Sequence, residues 1–192
     1  MKKLDWWVGL VFVAILVTAC GPSGPIVEVS AADINLTVGD LAEGFVVEQE
    51  MGFEELLQEV RLEDAGATQD AHMRLFADSG TQVFSAVFVF DSAKNAQSGM
   101  EDARRNFELA LQENTPGLSF EELISPAIGD EVVLTGANAP EEGGTIHMLT
   151  FRELNVVGML VVVGPAGDLN EDWLGDLGVV LFKRIPQPEE SS

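Results

Sequence analysis

The sequence predicts an α+β fold: one antiparallel sheet built from two long hairpins, with amphipathic helices packed on it. Three patterns carry this reading. Thr68 to Ala77 and Thr81 to Phe90 are two strand-like runs joined by Asp78-Ser79-Gly80, a glycine-containing turn of the kind that closes a hairpin. Thr145 to Glu153 and Val156 to Val163 repeat the arrangement. Val83 to Phe90 and Val156 to Val163 are almost continuously apolar, the mark of central strands covered on both faces, and helical stripes with period 3.6 supply the covering layers.

Taken in order, residues 30 to 52 mix short apolar pieces with Gly39 and Gly44, and Phe45 to Met51 is expected as a first strand entered from a turn at Ala42-Glu43-Gly44. Phe53 to Asp64 places Phe53, Leu56, Leu57 and Val60 on one helical stripe with glutamates opposite, and Gly66 ends it. After the first hairpin, Ser92 is suited to cap a helix over about 93 to 113. That helix would set Ala96, Met100, Ala103, Phe107, Ala110 and Leu111 on its inner face. Asn114-Thr115-Pro116-Gly117 breaks the chain, a short helix or extended piece covers Phe120 to Ile124, and Glu131 to Thr135 reads as a strand. The polar stretch Asn138 to Gly144 is expected as a loop into the second hairpin. A last helix begins at Asp168 or Asn170, buries Trp173, Leu177, Val180 and Leu181, and has Leu174, Gly178, Phe182 and Ile185 widening the stripe. Lys183 and Arg184 complement its C-terminus, and Pro186-Gln187-Pro188 stops it.

The halves echo one another. His72-Met73 with Phe76 recurs as His147-Met148 with Phe151, and Phe53-Glu54-Glu55-Leu56-Leu57 recurs as Phe120-Glu121-Glu122-Leu123-Ile124. A duplicated helix-hairpin-helix unit would explain both matches; two acidic, apolar-rich halves matching by composition is the alternative. The layout resembles the small α+β sandwich domains of bacterial surface lipoproteins such as the PsbP-like group.

The N-terminus carries a different signal. Lys2 and Lys3 precede an uncharged apolar run from Trp6 to Ala19. The run fits an export signal, whose apolar region takes about 7 to 15 residues, and falls short of the roughly 20 needed to span a bilayer. It ends in Val17-Thr18-Ala19-Cys20, which holds the only cysteine. These four residues resemble the lipobox of bacterial lipoproteins. The resemblance implies cleavage between Ala19 and Cys20, acylation of the Cys20 thiol with fatty acids such as palmitate, and attachment to the extracytoplasmic side of the cell membrane. Gly21 stands where an inner-membrane retention signal would be Asp, so outer-membrane sorting is permitted in a cell that has one. The expected organisation is a signal peptide over 1–19, a lipidated Gly/Pro tether over 20–29, one domain over 30–186 and an acidic tail over 187–192.

The formal net charge is −22, and removing residues 1–19, with Lys2, Lys3 and Asp5, makes the remainder more negative still. Such a field repels nucleic acid and anionic headgroups and favours a cationic or protein partner. The acidic residues are dispersed, as on solvated faces of a folded domain. With Cys20 acylated no free thiol remains, which excludes thiol nucleophiles, CxxC redox pairs and cysteine-rich zinc sites. No cofactor motif is present: there is no GxSxG elbow, P-loop or dinucleotide fingerprint.

The remaining candidates are weak. His72 and His147 are the only histidines, and their matched places invite a metal or acid-base pairing, against the default of two surface or rim histidines. Asp168, Asn170 and Asp172 copy the start of a calcium loop, but Trp173 and Val179 occupy the places of its glycine and glutamate, so a helix N-cap with Glu171 fits better. Asn35-Leu36-Thr37 is a glycosylation sequon that a bacterial lipoprotein would not use. Ser85 and Ser92 lack triad partners. The pairs Glu54-Glu55, Glu121-Glu122 and Glu141-Glu142 point their side chains apart, unlike a glycosidase's facing carboxylates. The expectation is therefore no catalytic residue, no metal and no cofactor, in a lipid-anchored domain that binds a ligand or partner. A structural or accessory envelope lipoprotein and, less favoured, a hydrolase using dispersed carboxylates are the alternatives.

Overall fold

The computed structural model describes residues 25–60, 67–115, 117–139, 144–165 and 171–187. The signal segment, Ala19, Cys20, Gly66, Asp168, Asn170, Glu141, Glu142 and the tail beyond Gln187 lie outside the described residues. The elements are α1 (Ala31–Ile34), a 3-10 turn (Val38–Asp40), β1 (Val46–Met51), α2 (Phe53–Val60), β2 (Thr68–Ala77), β3 (Gln82–Phe90), α3 (Ala93–Asn114), β4 (Glu121–Glu122), β5 (Glu131–Ala139), β6 (Gly144–Glu153), β7 (Val156–Pro165) and α4 (Glu171–Arg184). The strands form one seven-stranded antiparallel sheet in the order β1-β2-β3-β7-β6-β5-β4. The two long hairpins sit side by side at its centre, so the α+β architecture predicted from the sequence is the observed one. No helix among the described residues is long and apolar enough to cross a membrane.

Alternation of side chains sorts the core into two layers. One face carries Phe76, Val83, Val87, Leu149, Phe151, Leu160 and Val162, covered by α1 and by Leu174, Leu177, Leu181 and Ile185 of the α4 region. The other carries Ala71, Met73, Ala86, Phe88, Met148, Met159 and Val161, covered by Leu56 of α2 and by Ala96, Met100 and Ala103 of α3. Both faces are buried, which is why β3 and β7 tolerate no polar alternation. Ser92 caps α3 as expected, its hydroxyl accepting from Asn95 N–H at 3.2 Å, whereas Ala110, placed on the inner face by the sequence, is exposed. The buried stripe of α4 is centred on Leu174, Leu177, Gly178 and Leu181, with Trp173 and Val180 at its margins.

The echo between the halves is real for the hairpins and fails elsewhere. His72 pairs with Val87 and His147 with Val162, Met73 with Ala86 and Met148 with Val161, so the two hairpins share one register. Ser85 pairs with Leu160 across the centre, and these residues are each other's counterparts in the echo, which places a pseudo-twofold axis between them. The helices break it, because α3 and α4 lie on opposite faces. Phe53 begins a helix, while the matching segment at Phe120 leads into the two-residue strand β4, so that part of the echo is compositional.

The N-terminal segment is fastened by two asparagines. Asn155, buried in the β6–β7 turn, accepts from Val27 N–H at 2.7 Å and donates to the carbonyls of Val27 and Phe90. Asn35 performs the second attachment, over the first face of the sheet. Arg184 adds a third, donating to the Asn35 carbonyl at 2.7 Å and to Asp40 Oδ1 at 2.6 Å. Partial burial pushes the Asp40 carboxyl upward, but the bonds from Arg184 and Thr37 outweigh it and hold the group below its usual value.

Candidate functional site

The two histidines do not meet. β3 and β7 stand between β2 and β6, so three interstrand spacings of about 4.8 Å separate them laterally. No group of three His, Cys, Asp or Glu side chains among the described residues could hold a metal. Nor are they surface or rim residues, the default the sequence suggested: each is only 9% exposed, because both rings point to the face that α1 and α4 cover.

Their surroundings differ despite the shared register. At His72 the chain supplies both hydrogen-bond partners. Asn35 Nδ2 lies 3.0 Å from Nδ1, and Glu50 Oε1 lies 2.9 Å from Nε2. A side-chain amide nitrogen can only donate and a carboxylate only accept, so the pattern fixes the tautomer with its proton on Nε2. Arg74, also bound to Glu50, helps hold that carboxyl below the usual carboxylate range. Ser85 Oγ donates to Asn35 Oδ1, not to a histidine, and is fully buried. The chain Ser85–Asn35–His72–Glu50 is thus a structural network with no activated nucleophile.

At His147 none of the described residues supplies either partner, and Nδ1 is buried without a hydrogen bond among them. The ring lies over Gly136, its cross-strand neighbour; a Cβ there would come within 3.2 Å of the imidazole and 2.8 Å of Leu123. Glycine inside a strand commonly marks such a close approach. The ring lines an open cleft of about 360 Å³ together with Ser119, Glu121, Asn138, Thr145 and Glu171. Burial pushes the imidazole pKa down, and the Glu171 carboxylate, at the start of α4, opposes this only in part. The ring is therefore held neutral, one nitrogen free to accept. The sequence reading placed Gly136 and Asn138 beyond the end of the strand, and so missed that β5 carries them into register with His147 and Thr145.

A consequence for stability follows. A histidine whose pKa is lowered by folding contributes stability in full above its unfolded value near 6.5, and loses it as pH falls through the folded value. Replacing His147 with Phe removes the unsatisfied nitrogen and, with the imidazole gone, the loss of stability on acidification. His147→Phe is expected to raise stability by about 1 kcal/mol near neutral pH and to flatten the pH dependence below 6.5. Urea denaturation at pH 7.5 and 5.5 measures both.

The other candidates gather into no site. Asn35 of the sequon is fully buried, closed to glycosylation in the folded chain. Asp172 and Glu171 are exposed on the first turn of α4. Glu54 and Glu55 open α2, and Glu121 and Glu122 form the edge strand β4; all four are exposed. A second groove, about 320 Å³ between α3 and β5, has its arginines paired, Arg104 with Glu108 and Arg105 with Asp102.

No protein-family model matches the sequence, and no curated protein matches it. Among solved structures, the chain is similar to the extracellular domain of PknH from Mycobacterium tuberculosis. The TM-score is 0.57 at 10% identity, covering 84% of this chain and 97% of that one. At that identity the likeness is one of fold. The Rv0999 ortholog of Mycobacterium smegmatis matches at a TM-score of 0.35 and 13% identity, over 88% of this chain and 94% of that one.

Proposed function

We propose that this chain is a lipid-anchored extracytoplasmic protein whose domain is a non-enzymatic binding module, with the His147 cleft as its contact site. The observation that carries the binding role is the nine-tenths-buried neutral imidazole of His147 lining a cleft among polar and acidic side chains. At about 360 Å³ the cleft is at the small end of ligand pockets. The absence of any nucleophile-base contact in the Ser85 network supports binding over turnover. The fold shared with a domain that is extracellular in its own protein supports the location, and the Lys2-Lys3, Trp6–Ala19 and Cys20 pattern supports the anchor.

A thermal-shift screen against cations, sugars, amino acids and peptides tests the role. Trp173, on α4 and 6.2 Å from the Phe45 ring, provides the fluorescence signal. A ligand at 100 times its Kd adds about 2.7 kcal/mol, a rise of several degrees for a domain of this size, and His147→Phe should abolish it. Turnover of a substrate by the purified protein, lost on changing a single acidic or histidine residue, would replace this reading with an enzymatic one.

A further inference from the structure

We infer that the ligand of the His147 cleft is a neutral sugar, held through its hydroxyl groups. The inference rests on the binding reading above and deepens it. Only Nδ1 of the ring is sealed from solvent. Nε2 also has no hydrogen-bond partner among the described residues, but it is open to solvent. It belongs to the ring edge that meets Gly136, where a Cβ would lie 3.2 Å from Cδ2 and 3.5 Å from Nε2. Gly136 lines the cleft beside His147, so this is the edge the cleft exposes. A protein interior tolerates an orphaned lone pair more readily than an orphaned N–H, and the Glu171 carboxylate in the same cleft favours a proton on the open side. The neutral ring therefore carries its hydrogen on Nε2. His72, in the matching register, has the same tautomer and donates from Nε2 to Glu50 at 2.9 Å. At His147 no described residue takes that hydrogen, so what the site lacks is an acceptor.

The rest of the lining mixes donors with acceptors. Asn138 Oδ1 accepts from Thr145 Oγ1 at 3.4 Å, which leaves the Asn138 Nδ2 hydrogens as a second donor beside Nε2–H. Glu121 and Glu171 supply acceptors only, and the Ser119 hydroxyl can do either. A hydroxyl group both accepts and donates, so neighbouring hydroxyls on one ring can take the two N–H groups and give their own hydrogens to the carboxylates. An ammonium has no acceptor for Nε2–H or for Asn138. A carboxylate or phosphate has no hydrogen for the glutamates and is repelled by them. An extended peptide would need pockets for its side chains, and Leu123 and Ala137 are the only apolar side chains in the lining. No group of three His, Cys, Asp or Glu ligands for a metal ion exists among the described residues.

With only two histidines in the chain, their ring signals in a ¹H–¹⁵N NMR spectrum of the full-length protein, in a detergent without a sugar headgroup, report the test directly. The ring ¹⁵N shifts first give the tautomer: a hydrogen on Nε2 of His147 is expected, and one on Nδ1 overturns the proposal. The probes are then glucose, galactose and mannose, with putrescine, propionamide and propionate as cation, amide and anion. At least one hexose is expected to shift the His147 Nε2 signal saturably, with a Kd on the order of 1 mM, while His72 stays fixed. Asn138→Ala and Glu171→Ala should each weaken this by about tenfold and His147→Phe abolish it, with unchanged His72 signals showing that the variants are folded. Equal shifts of both histidines, or unchanged affinity in both alanine variants, overturn the proposal. A His147 response to putrescine, propionamide or propionate but to no hexose overturns the sugar and leaves the cleft as a binding site. No response to these six or to any hit from the thermal screen removes the binding reading as well.

Discussion

Cys20→Ser is expected to yield an unprocessed precursor that incorporates no labelled fatty acid, a fall in label from full to background. The effect is all-or-none because Cys20 is the only cysteine in the chain, so no second thiol can accept the lipid. The energetics make the lipid decisive for attachment. Each buried methylene contributes about 0.8 kcal/mol, and one acyl chain alone gives only marginal, reversible binding. The two or three chains implied at a lipobox cysteine hold a protein stably. Val27, gripped by Asn155, is the first of the described residues fastened to the sheet, so a lipid on Cys20 would hold the domain within roughly 25 Å of the bilayer. Mass spectrometry of the purified protein checks the prediction: a labelled species of mature length from the serine variant would disprove the assignment of Cys20.

Much of the sheet was legible because its signals are local. Thr68 to Ala77 coincides with β2, and the turn residues at Asp78-Ser79-Gly80 announce the hairpin, where Asp78 Oδ1 accepts from the N–H groups of Gly80 and Thr81. The shared hairpin register could be read from His72-Met73 and His147-Met148, since period-two alternation forces equal faces once the turns match. The N-terminal segment was not legible. Its attachments run from side chain to backbone between residues as far apart as Val27 and Asn155, and no periodicity encodes such a pairing. The site was half legible: His147 was singled out, but the strand was ended at Thr135, short of Gly136, and Asn138 read as loop, since glycine and asparagine are uncommon inside strands. Their place in β5 is set by pairing with β6, a tertiary effect.

The pseudo-symmetric sheet offers two equivalent histidine positions on one face, and the chain closes only the first. α1 and Asn35 lie over His72. Over His147 the covering element is the start of α4, whose exposed Glu171 borders the cleft instead of filling it. Function in this reading arises where the echo is left unfilled.

The closed half makes the second large prediction. Asn35→Ala is expected to cost about 4 kcal/mol, a lowering of the melting temperature on the order of 10 °C for a domain of this size. Asn35 is fully buried and spends its whole amide. The two hydrogens of Nδ2 are shared among three acceptors, His72 Nδ1 and the carbonyls of His72 and Ser85. Oδ1 accepts from Leu36 N–H at 2.8 Å and from Ser85 Oγ. Alanine leaves a backbone donor, a hydroxyl and a ring nitrogen without partners in a dry layer, each costing about 1–3 kcal/mol with partial relaxation. Asn35→Asp preserves volume but turns a carboxylate toward two carbonyl oxygens, so it is not expected to rescue. Ser85→Ala removes the hydroxyl that Asn35→Ala would strand. The double variant should therefore be more stable than the sum of the single losses predicts, by 1 kcal/mol or so. Urea denaturation of the four proteins closes the cycle, and an Asn35→Ala loss below about 1 kcal/mol would mean that the N-terminal segment contributes little to the folded domain.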